Sequence, residues 1–118
     1  MTEDRKQKIA QSFSKEFAQT PVNISLTDSH FEQLAQGIYA SCTEEKWNVF
    51  LLDNYMYWSR SWTDICIYKV TFQKKPIGVE LTQLKVNRNP EEYGSTNLKH
   101  DVRLFKKFLG FFINDKFY

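Results

Sequence analysis

Glycine is scarce in this chain, and its scarcity excludes whole classes of chemistry. The four glycines, Gly37, Gly78, Gly94 and Gly110, are too scattered to form a phosphate-binding loop, a dinucleotide fingerprint or a nucleophile elbow. Each of those devices needs small residues close together so that backbone can turn sharply or approach a ligand. Histidine and cysteine are scarcer still. His30 and His100 lack a partner at i+3 or i+4, and neither Cys42 nor Cys66 has a second cysteine at metal-ligand spacing, so no metal and no cofactor is expected. Cys42 follows Tyr39-Ala40-Ser41 and Cys66 lies between Ile65 and Ile67, which reads as packed, inert thiols in a reducing compartment rather than a disulfide framework. No apolar run reaches the roughly 18 residues of a membrane span. The charged start, Met1 to Lys8, has no apolar segment behind it and does not read as a secretory signal. The expectation is a cytoplasmic protein without a membrane partner.

Strong charge is missing too. A net charge of +2 and a pI near 8.5 are too mild for a dedicated nucleic-acid binder, whose domain usually exceeds pI ~9, so a nucleic-acid partner is not expected, although a local basic patch stays compatible with them. What is abundant is aromatic: 16% of the 118 residues, including ten phenylalanines, against 42% hydrophobic overall. That composition supports one packed core and a single domain over 1–118.

Ile9, Phe13 and Phe17 recur every four positions, with Ala10 beside them, which predicts an amphipathic helix from Asp4 to Ala18 that Thr20-Pro21 ends. Val22 to Leu26 reads as a short extended piece. Thr27-Asp28-Ser29 offers capping oxygens, with Ser29 and Glu32 at capping-box spacing, and Phe31, Leu34, Ala35, Ile38 and Tyr39 form one face of a second helix. After a polar break at Thr43-Glu44-Glu45-Lys46 the period changes to two. Trp47, Val49 and Leu51 alternate with Asn48, while Phe50 and Leu52 make the second face apolar as well, as in a strand covered on both sides. Asp53-Asn54 is hairpin chemistry, Tyr55 to Arg60 returns antiparallel, and Ile65 to Phe72 and Ile77 to Val86 give two further strands about a Lys74-Lys75-Pro76 turn. The parity change between Leu81 and Leu84 predicts a bulge near Thr82-Gln83. Asn89-Pro90-Glu91-Glu92 has the form of a single helical turn ended by Gly94. Leu98, Val102, Phe105, Leu109 and Phe112, widened by Leu104, Phe108 and Ile113, form a closing helix. The expected fold is α+β, with a four-stranded antiparallel meander packed by two N-terminal helices and one C-terminal helix.

Three places could carry chemistry. Asp53, Asp64, Glu80 and Glu92 could supply an acid/base pair, although Asp53 reads as a turn former and Glu92 as a cap. The segment Tyr57-Trp58-Ser59-Arg60-Ser61-Trp62-Thr63-Asp64 interrupts two apolar strands with hydrogen-bond donors and aromatics. Arg60 offers a planar fork for a carboxylate or phosphate, and Trp58 or Trp62 a ring face for a base or for the guanidinium itself. Equally, Arg60 could pair with Asp64 or Glu92 while Ser61 and Thr63 satisfy turn amides. Arg88, in the tight loop Val86-Asn87-Arg88-Asn89-Pro90, could lie beside Arg60 and frame the site with it. The third place is the last helix. Lys99, Arg103, Lys106, Lys107 and Lys116 outnumber Asp101 and Asp115 there, and Phe111, Phe117 and Tyr118 are hard to hide, which suits a protein interface or a homodimer as well as a solvated face.

Arg60-Ser61-Trp62-Thr63-Asp64-Ile65-Cys66-Ile67-Tyr68 and Val86-Asn87-Arg88-Asn89-Pro90-Glu91-Glu92-Tyr93 resemble a family of small uncharacterised bacterial domains, in which an RSWTG-x-CIY stretch precedes a VNR-x-P-x-x-Y loop. The resemblance runs from about Trp47 to the carboxyl terminus. Asp64 stands where the pattern usually has glycine. Such domains are loosely associated with ADP-ribosylglycohydrolase-like proteins, so the resemblance implies nucleotide-linked chemistry and carries over no catalytic residue. Three functions follow as expectations. The first is a non-catalytic module binding a small anionic or nucleotide-like ligand through Arg60, Ser61, Trp62, Thr63, Tyr68 and Arg88. The second is a protein-interaction or immunity-type partner using the C-terminal helix. The third is a small hydrolase-like enzyme with Asp64 or Glu92 as base, which no nucleophile, metal site or cofactor motif accompanies.

Overall fold

The computed structural model describes residues 1–39 and 46–113. Three helices accompany a five-stranded antiparallel sheet: α1 (Glu3–Gln11), β1 (Phe17–Leu26), α2 (Asp28–Ala35), β2 (Trp47–Leu52), β3 (Tyr55–Arg60), β4 (Cys66–Lys74), β5 (Val79–Asn87) and α3 (Leu98–Ile113). The strand order is β1-β5-β4-β3-β2. Strands β2 to β5 are the expected meander, and β1 is an addition to its β5 edge.

That fifth strand corrects the first helix. Helix α1 stops at Gln11, where the Ser12 amide bonds to the Lys8 carbonyl at 3.0 Å and the Ser12 hydroxyl to the Ile9 carbonyl at 2.8 Å. Phe17, the supposed third residue of the helical stripe, instead pairs with Asn87 and opens a ladder that continues to Leu26 opposite Val79. A stripe of three residues specifies a helix weakly, and the chain gains more from a full edge-strand ladder. Pro21 is tolerated because β1 is an edge, and the register slips between Pro21 and Ile24, with Asn23 at φ 52°.

Helix α2 is shorter than its apolar face suggests. Thr27 rather than Ser29 caps it, accepting from the His30 amide at 3.0 Å, and Phe31 and Leu34 are its buried residues. Gly37, at φ 89°, takes the chain out of helical geometry. Ile38 then bonds reciprocally with Val49 across a single bridge, at 2.8 and 2.7 Å, instead of extending the helix. The break at Thr43-Glu44-Glu45 and the packing of Cys42 lie outside the described residues.

The meander follows the sequence closely. Asp53, at φ 56°, turns β2 into β3, and Gly78, at φ 79°, turns β4 into β5. Thr71 faces Gln83 and Phe72 faces Leu81, so Thr82 is the extra residue and the bulge falls where the parity of Leu81 and Leu84 requires. The helices divide between the two faces of the sheet. Helices α2 and α3 cover the main core, in which Trp58, Tyr68, Leu81, Leu84, Phe105 and Leu109 are fully buried. Asn97 starts α3 by accepting from the His100 amide at 3.1 Å. Phe105 meets Trp58 and Tyr68 edge-on, at ring separations of 5.2 and 5.4 Å. No helix among the described residues is long and apolar enough to cross a membrane.

Helix α1 lies on the opposite face, where Ile9 joins Phe50, Tyr57 and Cys66 in a second, smaller core. Strand β2 is therefore covered on both sides, as its alternation implied. Burial pushes the Tyr57 hydroxyl up to about 12, and it raises the Cys66 thiol as well. Both groups are neutral in the fold. Above the ordinary values of a thiol, about 8.5, and a phenol, about 10, the unfolded chain releases protons that the folded chain keeps. Stability is thus expected to be full below pH ~8.5 and to fall progressively as pH rises to about 12. Thermal midpoints measured across that range check the slope, and a flat profile to pH ~12 would show that the second core does not hold these groups neutral.

Candidate functional site

Strand β3 leaves the sheet at Arg60, and a tight connection returns the chain as β4. Trp58 pairs with Tyr68 but Ser59 pairs with Cys66, which leaves Ile67 as an extra residue beside the connection. The Arg60 amide donates to the Ile65 carbonyl at 2.9 Å, the Asp64 amide to the Arg60 carbonyl at 3.0 Å and the Ile65 amide to Thr63 Oγ1 at 3.3 Å. Thr63 therefore satisfies the turn, and the Ser61 amide ties the turn to the Lys46 carbonyl at 3.1 Å. The corner itself runs from Ser61 to Ile65. Tyr57, Trp58 and Ser59, which the sequence grouped with it, are buried residues of β3.

Asp64 is left-handed, at φ 60°. Glycine would take this conformation freely. Here Asp64 instead accepts two hydrogen bonds from Arg5 of α1, at 2.8 and 2.5 Å. Replacing Asp64 by glycine removes an exposed ion pair worth little and relieves the backbone. Asp64→Gly is expected to change stability by less than ~0.5 kcal/mol, whereas Asp64→Val should lose roughly 1–2 kcal/mol. Urea denaturation of both variants reads the difference.

The guanidinium of Arg60 sits against three rings. Its Cζ lies 4.8 Å from the centre of Trp47, 5.6 Å from Trp62 and 5.8 Å from Tyr93. Among the described residues no carboxylate lies within ion-pair distance of it. Asp64 is held by Arg5, and Glu92 accepts from Asn87 Nδ2 at 2.9 Å, so the expected pairing of Arg60 with either acid is not formed. Arg60 is half-buried and Trp62 is 55% exposed, so one side of the stack is open. Beneath it Trp47 stacks on Tyr68 at 5.4 Å. Among the described residues, Trp47 Nε1 and Tyr68 Oη are buried without a hydrogen-bond partner, as are Trp58 Nε1 and Ser59 Oγ nearby. Burial in first place, with the neighbouring Tyr93 hydroxyl and Asp101, raises the Tyr68 phenol.

The two arginines approach one another through Tyr93 without sharing a site. Arg60 lies over its ring, and the Tyr93 hydroxyl donates to Asp101 Oδ1 at 3.1 Å. Arg88 donates to Asp101 Oδ2 at 2.5 Å. Asp101 is fully buried in the first turn of α3, so Arg88 is committed to a structural ion pair. Burial above all raises the Tyr93 hydroxyl, with the neighbouring Tyr68 hydroxyl and then Arg60 opposing it and Asp101 adding to it. The loop before α3 is braced by Asn89, whose amide donates to Asn87 Oδ1 at 2.8 Å and whose carbonyl accepts from the Tyr93 amide at 2.9 Å.

Of the expected ligand residues, then, Arg60 and Trp62 gather at the open corner, while Tyr68 is fully buried beneath Trp47 and supports the stack from within the core. Ser61 and Thr63 form the turn that presents Arg60 and Trp62, and Arg88 serves the fold. Trp47 and Tyr93 were not expected there. Trp47 was assigned only to a strand face, but it pairs directly with Arg60 across the β2–β3 hairpin, a register that the Asp53-Asn54 turn implies. Asp101 left a trace in the sequence, since with Leu98, Val102 and Phe105 it falls at i+3, i+4 and i+7 of an apolar stripe.

Trp47 also forms one wall of an apolar groove of about 500 Å³, opposite Ile38, Phe108, Phe111 and Phe112 and rimmed by Lys46 and Lys107. Phe111 is 78% exposed. Lys99, Arg103 and Lys107 are exposed on the same helix, while Lys116, Phe117 and Tyr118 lie outside the described residues. Among the described residues no group of three or more histidine, cysteine or acidic side chains could hold a metal ion. No family model matches the chain, and no curated protein or solved structure is significantly similar to it.

Proposed function

We propose that this protein is a non-catalytic binding module whose site is the Arg60 corner, and that its ligand carries an anionic group and a planar ring. The observation that carries the reading is the Arg60 guanidinium, stacked on Trp47, Trp62 and Tyr93 with no carboxylate partner among the described residues. A guanidinium held by rings keeps its hydrogen-bonding fork for a phosphate or carboxylate. Trp62, more than half exposed, supplies a face on which a base can stack. The resemblance to domains with nucleotide-linked associations points the same way. Catalysis is not part of the proposal, because the two acids considered as its base, Asp64 and Glu92, are engaged by Arg5 and Asn87.

A thermal-shift screen of nucleotides, ADP-ribose and sugar phosphates tests the reading. A ligand at about 100 times its dissociation constant stabilises by roughly 2.7 kcal/mol, a rise of several degrees. The rise should disappear in Arg60→Met, which keeps an apolar stem on the rings. No stabilisation by any compound at millimolar concentration would overturn the proposal.

A second reading is favoured by Phe111, whose exposed ring stands beside the groove at the end of α3. It makes α3 a docking helix for a protein partner or a second copy of the chain. Sedimentation of the wild type and Phe111→Ser distinguishes a dimer built on that ring from a monomer.

A further inference from the structure

We infer that the sheet face left open beside α1 is a weak binding surface for single-stranded nucleic acid, centred on Lys69 and Lys85. Residues paired across strands project to the same side of a sheet. Gln19 pairs with Lys85, Lys85 with Lys69, and Lys69 with Tyr57, so these four form one row. The adjacent row runs from Pro21 through Gln83 and Thr71 to Tyr55. Helices α2 and α3 occupy the opposite face, and the second core beneath α1 is built on Phe50, Tyr57 and Cys66. The part of this face on β1, β5 and β4 is polar and reaches solvent.

Two lysines directly opposite each other in a ladder repel. Among the described residues neither has a carboxylate within ion-pair distance. They turn away from one another instead. Lys69 Nζ lies 4.2 Å from the ring centre of Tyr55 and 5.6 Å from Tyr57, and Lys85 Nζ lies 5.2 Å from Phe17, which is 43% exposed. A phosphate chain crossing the pair would convert that repulsion into attraction. The exposed ring of Phe17 offers a stacking face, and Gln19 and Gln83 carry amides that both donate and accept, as base edges require. An acidic peptide would use the lysines alone, and its addition as a sixth strand beyond β1 is hindered by Pro21 and the slip at Asn23. The mild charge of the whole chain argues against a dedicated, tight binder, and it does not speak against a local strip of this kind.

Fluorescence anisotropy of a labelled short oligothymidylate at low salt is the test. Binding is expected to weaken roughly tenfold in Lys69→Gln/Lys85→Gln, and the slope of log affinity against log salt should fall by about 1.4, the value for two phosphates on a single strand. Phe17→Ala should weaken binding about fivefold or more through lost stacking. Lys69→Gln/Lys85→Gln should leave unchanged the stabilisation of the protein by a small ligand of the Arg60 corner, which separates this surface from that site. Circular dichroism and thermal midpoints of the lysine variant should match the wild type, since both substitutions are on an open face. No binding at low salt would overturn the inference. So would equal competition by polyglutamate together with indifference to Phe17→Ala, an outcome that assigns the strip to an acidic protein.

Discussion

Asp101→Ala should destabilise the fold by about 3–5 kcal/mol, the usual loss when one partner of a buried ion pair is removed. Asp101 is fully buried and accepts from both Arg88 and Tyr93. Without it a guanidinium and a phenol lose their acceptor, and the first turn of α3 loses a favourable negative charge. The thermal midpoint should fall on the order of 10–20 °C. Asp101→Asn, which keeps an acceptor for one of the two donors, should lose about half as much. The double variant Asp101→Leu/Arg88→Met should recover most of the stability, because burying two apolar side chains replaces a pair whose desolvation offsets much of its attraction. If the double variant is as unstable as Asp101→Ala, the pair is not the reason for the loss. The same series affects the site indirectly, since Tyr93 links this pair to Arg60.

Trp58→Ala should cost a similar 3–5 kcal/mol for a different reason. Trp58 is completely buried at the centre of the aromatic cluster, with Trp47, Tyr68, Phe105 and Phe112 around it at ring separations of 5.2 to 6.2 Å. Alanine leaves a cavity bounded by rings that cannot collapse without moving both the sheet and α3. Trp58→Phe is the informative control. The indole nitrogen of Trp58 has no hydrogen-bond partner among the described residues, so phenylalanine loses volume but no hydrogen bond. Its loss is expected to stay below ~1.5 kcal/mol. Guanidinium chloride denaturation of the two variants separates cavity from polarity, and a severe loss in Trp58→Phe would reveal a hydrogen bond to the indole.

Most of the fold could be read from residues whose local preference and tertiary role agree. The hairpin at Asp53-Asn54, the strands from Trp47 to Val86, the bulge at Thr82 and the stripe of α3 each carry a period or a turn chemistry that packing preserves. The segment from Phe13 to Leu26 was misread because its spacing fits a helix while its partner, β5, lies about sixty residues later. Sequence period records which residues are apolar and is silent about a distant edge that offers a ladder. The site shows the same division. Arg60 and Trp62 stood out because polar and aromatic residues interrupt apolar strands there, whereas Tyr68 entered only with the stretch that carries the resemblance. Arg88 looked equivalent to Arg60, and only the depth of Asp101 separates the two roles. Trp47 completes the stack as the hairpin partner of Arg60, which the turn at Asp53-Asn54 implies, whereas Tyr93 arrives from the loop before α3 by tertiary folding alone.

The central claim is that Arg60 and the rings around it receive an anionic ligand. The most direct measurement follows the indole nitrogen–proton signals of the three tryptophans by NMR during titration with the compounds that stabilise the protein. The account predicts that the Trp47 and Trp62 signals shift and saturate together, that Trp58, enclosed in the core, moves least, and that Arg60→Met abolishes the response. Saturating shifts that survive Arg60→Met, or stabilising ligands that leave Trp47 and Trp62 unmoved, would place the ligand elsewhere and contradict the claim.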